Sequence, residues 1–252
     1  LKEENKSKLI KNNSGNKDIH YINGDLSSQR EIKKIVEIIK SKFTNIDVLI
    51  NNAGILSFER KESEDGIEKT FATNHLSYFL LTGLLLPMLL KSQKARIINV
   101  ASSVHRNAYL NFDDIEMKKK YDGINAYRQS KLCNILFTYF LSDKLNLKNI
   151  TVNCLHPGSV NTGLGKNKKK IINFFLINIA KKIFKKKLES SRLNAIEGAK
   201  TSIYLATTNN LEKITGKYYN GDEALNSSEQ TYDKSLQKKL WLLSEKYTNF
   251  SY

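Results

Sequence analysis

The stretch Asn-Ile-Asp-Val-Leu-Ile-Asn-Asn-Ala-Gly, residues 45–54, carries the decisive reading. Its first half, Ile46–Ile50, is an apolar run of strand length. Its second half, Asn51-Asn52-Ala53-Gly54, is a small, tight turn whose glycine lets backbone approach a ligand closely. Outward from it, similar short apolar runs alternate with longer segments of helical period. Strands are expected at Ile19–Asn23, Ile46–Ile50, Arg96–Ala101 and Ile150–Leu155, with a short late one near Lys217–Asn220. Helices are expected near Ser28–Lys42, Ser63–Leu90, Ala126–Leu145 and Ala195–Ala206. This alternation predicts the α/β class, a parallel sheet covered by helices. Several expected strands run straight into residues with chemistry: Asp25, the 51–54 turn, Ser102, and His156-Pro157-Gly158. In open α/β sheets, ligands bind in the crevice beyond the carboxyl ends of the strands.

The 252 residues, 40% hydrophobic and 26% charged, suffice for one sizeable core, and no repeat or Pro/Gly-rich linker divides 1–252. Two cysteines, Cys133 and Cys154, exclude a disulfide scaffold, and no zinc-type spacing occurs. The net charge is +16, but nine of its lysines fall between Lys166 and Lys187, where there is no acid. Lysines outnumber arginines 35 to 6, and no Arg-rich aromatic stripe marks a nucleic-acid face, so no nucleic-acid partner is expected. The longest apolar stretch, Tyr78 to Leu90, is interrupted by Gly83 and Pro87 and is too short to span a bilayer. The expected location is cytoplasmic or at the cytosolic membrane face.

Tyr127 and Lys131 stand four apart in a helical segment, so their side chains share one face. An ammonium beside a phenol favours the phenolate, and the pair is expected to draw the Tyr127 pKa down toward working pH, where it can pass a proton. By itself a Tyr-x-x-x-Lys is a weak signal. Its company strengthens it: Asp25-Leu26, Asn51-Asn52-Ala53-Gly54, Asn74, Ser102, Tyr127/Lys131 and Pro157-Gly158 follow in consistent order.

Together these motifs resemble the short-chain dehydrogenase/reductase family over essentially the whole chain. Residues 65–76, 111–115, 129–137 and 215–219 look like its retinol-dehydrogenase-like branch. The resemblance implies a Rossmann-like, doubly wound parallel sheet and an NADP-dependent oxidoreductase, NAD being the other candidate. Its substrate would be a small lipophilic alcohol, aldehyde or ketone. Carried over by position, Ser102 would hydrogen-bond the substrate oxygen, with Ser103 as the alternative, and Tyr127 would be the general acid or base. Lys131 would hold the ribose hydroxyls and lower the Tyr127 pKa, while Asn74 would hold a water that continues the proton relay. Asp25 and Leu26 would take the adenine, Asn52, Ala53 and Gly54 the adenosine ribose, and Pro157, Gly158, Val160 and Thr162 the nicotinamide side. Residues 104–125 look like an insertion of the branch, and His75, His105 and His156 are expected to be structural.

Two departures shape the expectations. The opening from Leu1 to Gly15 reads as the tail of a helix entering a loop, without the family's glycine-rich strand-turn-helix or its second strand. The chain is therefore read as truncated at its front, aggregation-prone alone and a poor binder of NADP(H). In a sheet ordered 3-2-1-4-5-6-7, the Ile19–Asn23 strand would stand third, about 14 Å from the fourth position, with no neighbour. The Lys-rich segment 166–188, with Phe174, Phe175 and Phe184 among its lysines, reads either as a peripheral membrane contact or as a soluble lid with a solvated face. A competing reading of the whole is a non-catalytic fragment or interaction protein that keeps the fold. Oligomeric state stays open.

Overall fold

A computed structural model describes residues 10–146, 148–158 and 195–252. Its sheet has five strands in the order β1 (Val48–Asn51), β2 (Ala95–Val100), β3 (Ile150–Leu155), β4 (Tyr218–Asn220) and β5 (Glu223–Leu225). The first four run parallel. β5 returns antiparallel through a two-residue turn at 221–222, where Gly221 takes φ +67°. β3 is buried along its whole length and β2 nearly so, because helices cover both faces of the sheet.

Helix α1 (Gln29–Lys42) starts where the Ser28 hydroxyl accepts the Glu31 N–H at 3.1 Å, and it carries Lys40 and Lys42 in its last turn, opposite the helix dipole. Its buried Val36 packs on Leu85 and Met88 of the next helix. Helix α2 begins at Lys69–Phe71, passes through a π-helical turn at Ala72–Leu76 and continues as Ser77–Leu89. Helix α3 (Gly123–Lys144), capped by Asp122, is buried over most of its circumference against β2 and β3. Helix α4 (Ala195–Thr207) lies on the other side of the sheet, where Leu205 joins Ile98, Val100, Leu155 and Tyr219. Helix α5 (Lys234–Thr248), capped by Asp233, brings Trp241 against Phe79 and Phe137. A buried amide ladder ties the strand ends to the helices: Asn51 donates to Thr82 and Asn99, and Asn99 donates to Thr138.

Two expectations need correction. Residues 19–23 form no strand; Tyr21 is 45% exposed and His20 rests edge-on against Phe43. An apolar run becomes a strand only beside a neighbour that takes its hydrogen bonds, and the described residues supply none there. β1 is accordingly a sheet edge, with Val48 and Ile50 partly exposed. The helix expected from Ser63 starts six residues later, because Gly66 adopts φ +73° in a turn and the Glu68 carboxylate caps the helix by accepting the N–H groups of Thr70 and Phe71. Helix α5 and strand β5 were not anticipated. No helix among the described residues is long and apolar enough to cross a membrane.

Candidate active site

β2 delivers the first group. Past Val100 and Ala101, Ser102 takes an extended backbone (φ −163°, ψ 153°) and caps a short 3-10 turn, Ser103–Asn107. Ser102 is half-buried, while the alternative, Ser103, is exposed.

α3 supplies the second and third groups. Lys131 is 3% exposed, and its ammonium donates to the Val100 carbonyl at 2.9 Å. The same nitrogen lies 5.7 Å from the ring centroids of Tyr127 and Tyr78. Tyr78 is itself anchored by donating its hydroxyl to the Ala53 carbonyl at 2.8 Å. Burial pulls Lys131 down from its ordinary 10.5 to about 7, because a desolvated ammonium is disfavoured.

The expectation that Lys131 draws the Tyr127 phenol down is corrected by this geometry. Burial holds Tyr127 above its ordinary value, and a hydrogen bond from the Ser102 hydroxyl pulls the other way. The ammonium is directed at a backbone carbonyl rather than at the phenol oxygen. The Ser102 side chain nonetheless lies near enough to the Tyr127 phenol to act on its titration.

The 51–54 turn backs onto this group. A Cβ at Gly54 would lie 3.4 Å from the Lys131 nitrogen and 3.6 Å from the Asn74 side-chain oxygen, ordinary contact distances, so the turn lies directly beside both groups. Asn74, fully buried, sits in the π-helical turn of α2, the kind of local widening often found at functional sites. Its Oδ1 accepts the Ile55 N–H at 2.8 Å, and its Nδ2 donates to the Ile55 carbonyl and to the Ser130 hydroxyl, each at 2.9 Å. Asn74 thus fixes the chain leaving the turn.

The remaining expected residues lie further out. Asp25 accepts the Ser27 N–H at 2.8 Å and pairs with Lys69, at the start of α2, at 3.3 Å. Burial alone would raise its carboxyl, but the Ser27 bonds and Lys69 outweigh that and hold it below the usual range. Leu26 is half-buried, and Asn52 is exposed at the end of β1. Pro157 and Gly158 follow β3, Gly158 having φ +75° and donating its N–H to His156 Nδ1 at 3.1 Å. Val160, Thr162 and the segment 166–188 lie outside the described residues. Among the described residues nothing clusters as metal ligands. Tyr78 and Ser130 were missed beforehand. The signal for Ser130 was its place between Tyr127 and Lys131; for Tyr78, four residues after Asn74, sequence offers none.

With this geometry in view, comparison with known proteins gives consistent results. A family model described as short chain dehydrogenase matches residues 2–172. Human retinol dehydrogenase 14 is 38% identical over 221 residues, covering 88% of this chain and 64% of that protein. Human polyprenol dehydrogenase is 37% identical over 238 residues, covering 92% of this chain and 70% of the other. The chain therefore spans roughly two thirds of the length of these relatives. Among solved structures, a protein from Mycobacterium paratuberculosis superposes with TM-score 0.67 at 27% identity, over 90% of this chain and 74% of that one. An NADPH-bound carbonyl reductase from chicken fatty liver superposes with TM-score 0.60 at 22% identity, over 87% and 82%.

Proposed function

The chain belongs to the short-chain dehydrogenase family, in its retinol-dehydrogenase-like branch, and from that premise we propose that it interconverts a lipophilic alcohol with its aldehyde or ketone using NADP(H), with NAD(H) as the competing dinucleotide. The observation that carries the reading is the convergence of Ser102, Tyr127, Lys131, Asn74 and Gly54, from four separate elements, on one small space.

The residues present suit a dinucleotide. Among described contacts, Lys131 commits one of its three ammonium hydrogens, to Val100, which leaves donors for ribose hydroxyls. Gly54 leaves no side chain between the turn and that ammonium. Asp25 offers an exposed carboxylate for an adenine amino group, and Leu26 an apolar side chain beside it. When bound, the nicotinamide supplies the hydride chemistry. The chain's own contribution is position and protons. The Ser102 hydroxyl donates to the substrate oxygen and Tyr127 gives or takes the proton on that oxygen. Asn74 keeps the 51–55 backbone still.

The test uses all-trans-retinol with NADP+ or NAD+ and follows the aldehyde by absorbance. Tyr127→Phe should lower turnover by about 10²- to 10⁴-fold while dinucleotide affinity, read by fluorescence titration, is nearly unchanged. Turnover by Tyr127→Phe at the parent rate refutes the assignment. Uptake of neither dinucleotide by the full-length product supports the non-catalytic scaffold reading instead.

A further inference from the structure

Ser102 acts only if its hydroxyl is aimed, and its side chain has little else to aim it. The bond its Oγ accepts from the Val104 N–H is long, 3.4 Å, and correspondingly weak. Its carbonyl is held far more firmly, and by one residue. His105 donates its backbone N–H to the Ser102 carbonyl at 3.2 Å, and its ring Nδ1 lies 2.7 Å from the same oxygen.

The other ring nitrogen settles the tautomer. The Ser228 backbone N–H, which can only donate, points to His105 Nε2 at 3.1 Å. Nε2 is therefore bare, the proton sits on Nδ1, and Nδ1–H donates to Ser102. The ring is fully buried and lies edge-to-face against Tyr218 at 5.1 Å. The charged or titratable groups facing it are Arg106, His156 and Tyr218. Burial lowers its pKa to about 4, so the ring stays neutral at working pH and keeps both bonds. Arg106 adds a second tie by donating to the Asn226 carbonyl.

We propose that His105 is a positioning residue: bridging the Ser102 carbonyl and the Ser228 N–H, it holds the 3-10 turn against residues 226–228 and so fixes the backbone from which the Ser102 hydroxyl reaches Tyr127. The proposal rests on Ser102 and Tyr127 being the reacting pair.

Two substitutions separate the halves of the bridge. His105→Asn places an amide N–H where Nδ1 was and gives up Ser228. His105→Gln reaches toward Ser228 and gives up the donor to Ser102. A merely structural histidine would be damaged alike by both. The full chain is assayed with all-trans-retinol and NADP+, and the Tyr127 phenol is titrated in ¹³C-tyrosine-labelled protein, a readout that needs no turnover. The expected result is that His105→Gln lowers kcat by about 100-fold, as a misplaced reacting group does, with little change in KM, and raises the Tyr127 midpoint. His105→Asn should keep both close to the parent. Equal losses in the two variants, or no loss in either, overturn the proposal. If the parent turns over no retinol, the proposed function is what has failed, and the Tyr127 midpoints alone decide the role of His105. Should His105→Gln not fold, ¹⁵N spectra of the unsubstituted chain decide: neutral, Nδ1-protonated His105 supports the bridge, and an Nε2–H tautomer or a cation at pH 7 overturns it.

Discussion

Replacing Lys131 with Met should make the dinucleotide-free chain more stable while removing its activity. Lys131 is 3% exposed and its pKa falls from 10.5 to about 7 on folding. At about 1.36 kcal/mol per unit, that difference amounts to a penalty of roughly 4–5 kcal/mol at pH 6, where both states would otherwise be fully protonated. Against it stands the bond to Val100, worth about 1 kcal/mol. Removing that bond does not orphan the carbonyl, because Asn134 Nδ2 also donates to it at 3.3 Å. Methionine fills most of the lysine stem's space with a flexible apolar chain. The net expectation is a gain of about 3 kcal/mol for Lys131→Met near pH 6. The sign of the pH dependence follows from the folded pKa lying below the unfolded one. Between about pH 7 and 10.5 the unfolded chain holds more protons, so parent stability climbs with pH across that window. The methionine advantage should therefore shrink by about 2–3 kcal/mol between pH 6 and pH 9. Urea unfolding of both proteins at pH 6, 7.5 and 9 measures it. A difference that does not change with pH, or a methionine variant less stable at pH 6, refutes the account of a desolvated ammonium.

Three further outcomes are expected. Asn74→Ala strands the Ile55 N–H and carbonyl, while the Ser130 hydroxyl keeps its bond to the Tyr127 carbonyl, and should cost about 2–4 kcal/mol in urea unfolding and lower turnover as well. Gly123→Ala would put a Cβ 2.0 Å from the Ser57 carbonyl oxygen, backbone that has little room to yield, and should lower stability by about 1–3 kcal/mol and shift the start of α3. If the lysines of 166–188 touch a membrane, the chain floats with anionic vesicles at low salt and five Lys→Gln changes release it, since each contributes about 1 kcal/mol near the surface; unchanged flotation after those changes counts against that contact.

Which features could be read from sequence depended on whether their cause was local. Strands β2 and β3 lie within one residue of their expected bounds because a strand buried on both faces is a continuous apolar run, whatever its neighbours are, and the edge strand β1, with Val48 and Ile50 exposed, lies within two residues of its own. Residues 19–23 show a similar run and form no strand, because pairing is a property of two segments and sequence displays only one. The start of α2 was misplaced although its causes are local: Gly66 in a left-handed turn and the Glu68 cap interrupt a helical period that looks unbroken from Ser63. The candidate site divides along the same line. Tyr127 and Lys131 share a helix face by spacing alone, whereas Ser102 in preference to Ser103 is what the family resemblance implies and not something spacing shows. The state of the Tyr127 phenol does not follow from spacing, since it depends on the balance between burial and where the Lys131 ammonium points, and Val100 is 31 residues away from that ammonium. The His105 bridge spans 123 residues to Ser228. A histidine three residues after a serine looks incidental in sequence; only the distant backbone N–H that fixes its tautomer turns it into a donor aimed at the Ser102 carbonyl.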